Sequence, residues 1–177
     1  MATATQQLQG TYVLDPVHSS ASFAVKHMVV STFRGRFEKF DATLTDGKLV
    51  GTVDVGSIVV KDENLAAHLQ SPEFFDAERY PELRFESTDI RRAGEGDEVV
   101  VDGELTIKGI TKSVEARGTL EGPAVTFGDV NKVGLTLEAI IDRTEFGLNW
   151  NAPLPKGGFA LANDVKLIVE LELAEQA

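Results

Sequence analysis

Apolar and polar residues alternate along most of this chain, which is the pattern of β-strands that bury one face. In residues 18–27, "HSSASFAVKH", the apolar face carries Phe23, Val25 and His27. Residues 165–173 alternate in the same way. Asp46-Gly47 separates two alternating runs and predicts a β-hairpin turn, because both central positions of the favoured turn need positive φ. Gly35 lies inside a strand-like run and predicts a bulge or a sharp bend.

The alternation stops once, in "KDENLAAHLQSPEFFDAERYPEL". Asp62 is a suitable N-cap, and Leu65 and Leu69 share a helical stripe after it. Ser71-Pro72-Glu73 resembles the cap and first turn of another short helix. We therefore expect one or two short helices near residues 62–76.

Eight or nine strands with one helical interruption predict an all-β fold, either an antiparallel barrel or a sandwich. Residues 10–174 form the expected domain, after a flexible N-terminus of residues 1–9. Residues 144–162 form one long irregular segment, which either borders a ligand entrance or crosses over one barrel end.

Composition narrows the class of partner. The chain has 177 residues, of which 42% are hydrophobic and 25% charged, as in an ordinary soluble domain. A net charge of -11 disfavours binding to nucleic acid and to anionic membrane surfaces, although it does not exclude a local basic patch. The absence of cysteine excludes disulfides and thiolate chemistry. No signal peptide or membrane span is recognisable, so we expect a cytoplasmic location, and a periplasmic or secreted one only if a signal peptide has been removed.

The three histidines are the first candidates for chemistry. Asp15, His18 and Ser19 are the residue types of a nucleophilic triad, but they are too close in sequence and more typical of a turn. His18 and His27 are about 30 Å apart along a continuous strand and cannot share one ion. His68 fits a helix surface or packing role. His27 either bonds within the core or meets the polar head of a ligand. We expect no metal site, cofactor or catalytic residue.

Aromatic residues suggest a lumen. The chain has ten phenylalanines, and several inward positions are small: Ala21, Gly103, Gly109, Ala116, Gly118 and Ala139. An eight-stranded barrel is either filled or holds one ligand, and small residues beside aromatic ones are compatible with an apolar tunnel. The expected ligand-binding residues are Phe23, Val25, His27, Phe37, Phe40, Phe74, Phe75, Phe85, Leu105, Ile107, Leu135 and Leu137.

Six fragments in order resemble the YceI-like family over residues 10–173: "TYVLDPVHSSASFAVKHM", "FRGRFEKFDATL", "GSIVV", "HLQSPEFFDAERYPELRFEST", "GELTIKGITKSV" and "DRTEFGL". The resemblance implies an eight-stranded, or nearly eight-stranded, lipocalin-like antiparallel barrel that encloses a polyisoprenoid or similar amphiphile, with no known catalytic reaction. Many members are periplasmic, and this chain differs from those in lacking a signal peptide. The family's recognisable positions in this chain, which include Asp15, His18, Gly35, Arg143 and Gly147, are interpreted as fold markers.

Three functions stay open. The first is binding, transport or sequestration of a long apolar chain such as a polyisoprenoid or polyprenyl quinone. The second is a lipid-modifying enzyme that uses His18 or His27, and the third is a filled barrel that binds protein partners. The expected partner is a long-chain amphiphile, without nucleic acid or an integral membrane span, and a homodimer is a candidate assembly.

Overall fold

The structure is a computed structural model that describes residues 8–176. Within them it has eleven strand segments and one α-helix, α1, at Glu63–Gln70. The strands are β1 (Thr11–Leu14), β2 (Ser20–His27), β3 (Ser31–Phe37), β4 (Phe40–Thr45), β5 (Lys48–Asp54), β6 (Ile58–Val59), β7 (Glu82–Arg92), β8 (Glu98–Ile107), β9 (Ile110–Val125), β10 (Asn131–Asp142) and β11 (Leu161–Glu175).

The strands close into an antiparallel barrel of eight strands. Neighbours run β1, β4, β5, β7, β8, β9, β10, β11, and β11 pairs back to β1. The C-terminal part of β11, residues 173–175, pairs with β1, and its N-terminal part, residues 161–170, pairs with β2. In the same way, β3 pairs with β2 and β4 pairs with β1, so β1–β2 and β3–β4 act as two kinked long strands. The barrel prediction is confirmed and the sandwich alternative is excluded.

The two ends of the barrel differ. One end, the mouth end, carries the β2–β3 turn, α1, the β8–β9 turn and residues 143–160. The opposite end, the far end, carries the β4–β5, β7–β8 and β9–β10 turns. The long connections therefore collect at the mouth end.

Two predictions concern local backbone geometry: the Asp46-Gly47 hairpin turn, and the bulge or sharp bend at Gly35. Asp46 and Gly47 have φ of 48° and 81° and join Thr45 to its partner Lys48, as the hairpin prediction requires. Gly35 forms no bulge, because it pairs with Phe23 in an unbroken β2–β3 register. A Cβ at Gly35 would lie 2.5 Å from the Phe23 ring, so this glycine makes room for an aromatic side chain.

The helical interruption contains one helix. The Asp62 side chain accepts a hydrogen bond from the Leu65 amide at 3.0 Å and caps α1 as predicted. The second short helix does not form. Instead, a turn begins at Ser71. The Ser71 carbonyl accepts hydrogen bonds from the Phe74 and Asp76 amides, and Phe74 is buried.

The core is divided along the barrel axis. A far-end core, which includes Leu44, Leu120 and Leu173, is filled. Leu8 is also buried there, although the sequence analysis assigned it to the flexible N-terminus; residues 1–7 lie outside the described range. A mouth-end core surrounds Phe23, Phe37 and Phe146. In residues 8–176, α1 is too short to span a bilayer.

Candidate functional site

A cavity of about 380 Å³, which we call the upper cavity, occupies the mouth-end half of the barrel. Its walls come from β2, β3, β7, β8, β10, β11, α1 with the turn after it, and the loop before β11, and their side chains are predominantly apolar. Wall, helix and loop are therefore parts of one compartment, of a size and lining typical of small-molecule sites.

The strand β2 forms one wall because its alternating phase directs Phe23, Val25 and His27 inward. Phe23 packs against Phe33 and Phe37 with ring centroids 6.0 and 5.8 Å apart. The ring of Phe23 lies over Gly35, where any side chain would collide with it. The glycine thus sets the shape of the wall.

The helix α1 covers part of the mouth with an aromatic cluster. The His68 ring meets Phe74 and Trp150 edge to face, each at 5.0 Å, and Phe74 lies 5.5 Å from Trp150. His68 Nε2 is 2.5 Å from a carboxylate oxygen of Glu73, which fixes the ring orientation. The cluster joins α1, the turn after it and the long loop above the cavity.

A second cavity of about 150 Å³, which we call the lower cavity, lies deeper in the barrel. Phe40, Phe85 and Leu105 are among its lining residues. The Phe85 ring lies against Gly103, so this glycine also makes room for an aromatic ring. The small inward positions at Gly35 and Gly103 are thus filled by neighbouring rings, which corrects the expectation that Gly103 helps to open a tunnel.

The two cavities share three lining residues, Phe37, Leu83 and Leu167. We call these three side chains the septum. They come from β3, β7 and β11, so they reach the lumen from separate parts of the barrel wall. The lumen is therefore open near the mouth, narrowed at the septum and filled at the far end.

Eleven of the twelve predicted ligand-binding residues line these cavities. The upper cavity contains Phe23, Val25, His27, Phe37, Phe74, Phe75 and Ile107. The lower cavity contains Phe37, Phe40, Phe85, Leu105 and Leu137. The twelfth, Leu135, is buried in the far-end core and lines neither of the two cavities. Alternation predicted its inward direction but not its depth along the axis.

Several lining residues were missed. Leu65, His68 and Leu69 belong to α1, whose placement over the mouth follows from tertiary packing. Trp150 and Leu148 belong to the irregular segment 144–162, and their position favours the entrance interpretation of that segment. The missed signal was the strong alternation of β11, which places Leu161, Val165 and Leu167 on the cavity wall.

Arg143 is the charged residue of the upper cavity, and it is 4% exposed. Its Nε donates to the Ala162 carbonyl at 2.9 Å, and its Nη1 donates to the carbonyls of Leu148 and Trp150 at 2.6 and 2.9 Å. Burial lowers the pKa of Arg143, against the opposing effect of the Asp142 charge. Nη2 finds no hydrogen-bond partner among residues 8–176. Arg143 therefore fastens both ends of the loop to the barrel.

The residues resembling a triad lie outside the cavities and join β1 to β2. His18 Nδ1 and an Asp15 carboxylate oxygen are 2.9 Å apart, and the Ser19 hydroxyl accepts from the Glu172 amide. The hydrogen bond between His18 and Asp15 lowers the pKa of Asp15 to about 2 and raises the pKa of His18. Asp15, His18 and Glu172 have ligand atoms within 4.8 Å of one another, but Lys132 Nζ lies 3.1 Å from Glu172 and supplies the positive charge there. The cluster is a strand junction.

Comparisons with known proteins agree with this architecture. The family model of the YceI-like domain matches residues 12–173. The UPF0312 protein SA2479 of Staphylococcus aureus (strain N315) is 32% identical over 175 residues, which cover 92% of this chain and 96% of that protein.

Solved structures show the same fold. The Campylobacter jejuni YCEI protein is 25% identical with a TM-score of 0.71, covering 86% of this chain and 90% of its own. Burkholderia cenocepacia BcnA is 23% identical with a TM-score of 0.71, covering 90% and 98%. A polyisoprenoid binding domain from Saccharophagus degradans is 12% identical with a TM-score of 0.71, covering 93% and 98%.

Proposed function

The chain belongs to the YceI-like family, and from this premise we propose that it binds a long apolar chain, such as a polyisoprenoid or polyprenyl quinone, inside its barrel. The observation that carries the proposal is the apolar cavity of about 380 Å³ at the mouth end, with a second cavity beyond the septum. Replacement of water by a hydrocarbon chain in such an apolar lumen lowers the free energy of the system.

The fold likeness to the polyisoprenoid binding domain of Saccharophagus degradans is consistent with this ligand class. The cavity supports it independently, because a filled barrel acting through its outer surface has no need of a cleared lumen. The protein-interaction alternative is therefore the weaker one. Cytoplasmic location stays a prediction from the sequence.

The distribution of polar groups supports an orientation for the ligand. His27 ends β2, Arg143 follows β10, and His68 lies on α1, so all three are at the mouth end. We infer that the apolar tail passes toward the septum and that the polar head stays among these side chains. An oxygen atom of the head group would also offer an acceptor to the unpartnered Nη2 of Arg143.

The cavity volumes set an expected tail length. At ~30 Å³ for each water-sized group, the upper cavity holds on the order of a dozen carbon-sized groups, or roughly two to three isoprene units. The lower cavity adds about one more unit by the same estimate. A longer chain requires the septum side chains to move or the chain to extend through the mouth.

Binding without chemistry is favoured over a lipid-modifying enzyme by two contacts. The Ser19 hydroxyl is engaged by a backbone amide, and His18 is bonded to Asp15 on the outside of the barrel. His27, the remaining candidate base, stands on an apolar wall. We propose that the protein carries or sequesters the chain.

Trp150 provides the test, because it is the only tryptophan in the chain and it lines the upper cavity. Titration with geranylgeraniol, below its aggregation limit, is expected to produce a saturable change in tryptophan emission. Val165→Phe fills part of the same cavity and is expected to weaken binding by about tenfold or more, because its ring occupies volume that the ligand would fill.

The matched control is Val125→Phe, the same substitution at an exposed far-end position, which is expected to bind normally. Ala160→Leu fills the cavity from the loop side and replaces Val165→Phe if that variant does not fold. The proposal is wrong if the emission does not saturate, or if a folded cavity-filling variant binds as tightly as the parent.

A further inference from the structure

Exposed apolar side chains border the mouth of the upper cavity. Met28, Val29, Val30 and Phe159 are 44%, 68%, 84% and 59% exposed. The Met28 amide donates to the carbonyl of Ala160 at 2.7 Å, which brings the β2–β3 turn beside the residue that follows Phe159. We call these four side chains the mouth rim. Met28 also lines the cavity, so the rim and the lumen are continuous.

The β2–β3 turn itself does not call for these residue types. Met28 and Val29 have φ of 53° and 67°, a region that a β-branched residue occupies at a cost and that Asn or Gly occupies easily. Val29 and Val30 also gain little from packing, because both are exposed. Neither turn geometry nor core packing accounts for their apolar character, which points to a contact outside the barrel.

The two segments that carry the rim are unusual in charge. The chain has 28 acidic residues and a net charge of -11, yet residues 16–37 and 146–163 contain no Asp or Glu. Both segments carry exposed cations, Lys26, Arg34 and Lys156. The acidic side chains at this end belong to neighbouring parts of the chain, and they include Asp62, Glu63, Glu73, Asp76, Glu78, Glu82, Asp142, Glu145 and Asp164.

We propose that the mouth rim docks on an anionic lipid bilayer, inserting its apolar side chains at the interface while Lys26, Arg34 and Lys156 contact the head groups. Apolar residues flanked by basic ones are the composition of an interfacial anchor. Docking in this orientation directs the mouth of the cavity toward the bilayer and gives an apolar chain a short path between the two.

A bilayer fits this surface better than a second protein molecule. A stable protein interface uses about 20–30 residues on each side, whereas the rim consists of four apolar side chains and three cations. Binding to a bilayer requires fewer contact residues, because a few apolar side chains at the head-group boundary and a few cations act together.

Co-sedimentation with extruded vesicles tests the proposal with the full chain. The parent protein is expected to bind phosphatidylcholine vesicles containing phosphatidylglycerol more tightly than pure phosphatidylcholine vesicles, and raised salt is expected to weaken this binding. The triple variant V29S/V30S/F159S should lose about tenfold or more of its vesicle affinity. None of its three positions lines the cavity.

The matched control is V125S/F127S, which removes two exposed apolar side chains from the β9–β10 hairpin at the far end. It is expected to bind vesicles like the parent. The triple variant K26Q/R34Q/K156Q should lose the preference for phosphatidylglycerol.

Three results would overturn the proposal: no vesicle binding by the parent, equal binding by V29S/V30S/F159S, or loss of binding in V125S/F127S. A concentration-dependent dimer that disappears in the rim variant, without vesicle binding, would assign the rim to a second copy and also overturn it. Geranylgeraniol binding by the rim variant in vesicle-free solution checks its fold, and it separates a failure of docking from a failure of the proposed cavity function.

Discussion

His27 shows how one strand position can combine an apolar wall with a polar contact. It ends β2, lines the upper cavity beside Val25, and pairs with Leu161 on β11. Its backbone carbonyl accepts from the Ser31 hydroxyl, so the turn after it does not depend on the imidazole. The side chain is thereby available to a ligand head group.

We predict that His27→Leu alters the choice of head group more than the stability of the fold. The measurement compares a prenyl alcohol with the chain-matched prenyl phosphate at one pH, in the variant and the parent. The parent should bind the phosphate more tightly than the variant does, because an imidazole N–H can donate a hydrogen bond to a phosphate oxygen and leucine cannot. An equal ratio of the two affinities in parent and variant would remove His27 from the head-group site.

Arg143 has a different role, because its guanidinium donates to the loop carbonyls of Leu148 and Trp150 and to the Ala162 carbonyl on β11. We predict that Arg143→Met lowers the free energy of unfolding by about 2–4 kcal/mol. The buried Leu148 carbonyl loses its donor at a cost of about 1–3 kcal/mol, and the part-buried carbonyls of Trp150 and Ala162 lose less because water can reach them. Urea denaturation followed by circular dichroism measures it. A midpoint equal to that of the parent would show that the loop is held by its apolar contacts alone.

At the scale of elements, α1 and the turn after it lie between the upper cavity and solvent. Phe74 is buried against His68 and Trp150, and Phe75 meets the septum residue Phe37 edge to face at 6.1 Å. Aromatic side chains from this one short segment therefore cover the mouth and reach the septum.

We predict that replacing Phe74 and Phe75 with Ala speeds ligand release more than it slows capture, because affinity differences among related complexes lie mostly in dissociation. Stopped-flow fluorescence of Trp150 measures both rates. Phe75→Ala alone is the milder variant for use if loss of the buried Phe74 ring unfolds the protein. Equal release rates in parent and variant would mean that this segment does not gate the cavity.

The junction between β1 and β2 predicts a pH window of stability. The hydrogen bond to His18 lowers the pKa of Asp15 from 3.8 to about 2, so its contribution is present above pH 3.8 and is lost as the pH falls toward 2. The same bond raises the pKa of His18 above 6.5, so that contribution is complete below pH 6.5 and is lost at higher pH. Both contributions are present together between about pH 4 and 6.5.

We therefore predict that His18→Gln destabilises the protein most between pH 4 and 6.5. Thermal melts of parent and variant across pH 3 to 9 measure the difference. It should shrink on both sides of the window. A difference that is constant with pH would mean that the junction is held by its backbone contacts, such as the Asp15 amide to the Glu172 carbonyl.

For the whole molecule, alternation predicted an all-β fold because that information is local and periodic, but it left a barrel and a sandwich open. The resemblance to the YceI-like family predicted the barrel. The phase of Phe23 and Val25 assigned the inner face of β2, and Asp46-Gly47 assigned a turn. Position along the barrel axis depends instead on the register of many strands. For that reason Leu135 was predicted to line the lumen but lies in the filled far end.

The parts of the site contributed by tertiary packing were not predictable in the same way. His68 and Trp150 are 82 residues apart in sequence and meet only because α1 and the loop fold over the same opening. Gly35 suggested a bulge, whereas its role depends on a ring reaching across from β2. The burial of Arg143 follows from a loop conformation that alternation does not describe.

The central claim is that the lumen holds an apolar chain, and the most direct test is the affinity of prenyl alcohols of increasing length. Each isoprene unit offers on the order of 4 kcal/mol of gross burial, reduced by chain ordering. Affinity should rise from two units to about four, where both cavities are filled, and then level off. Negligible affinity at every length, or no increase between two and four units, would contradict the account.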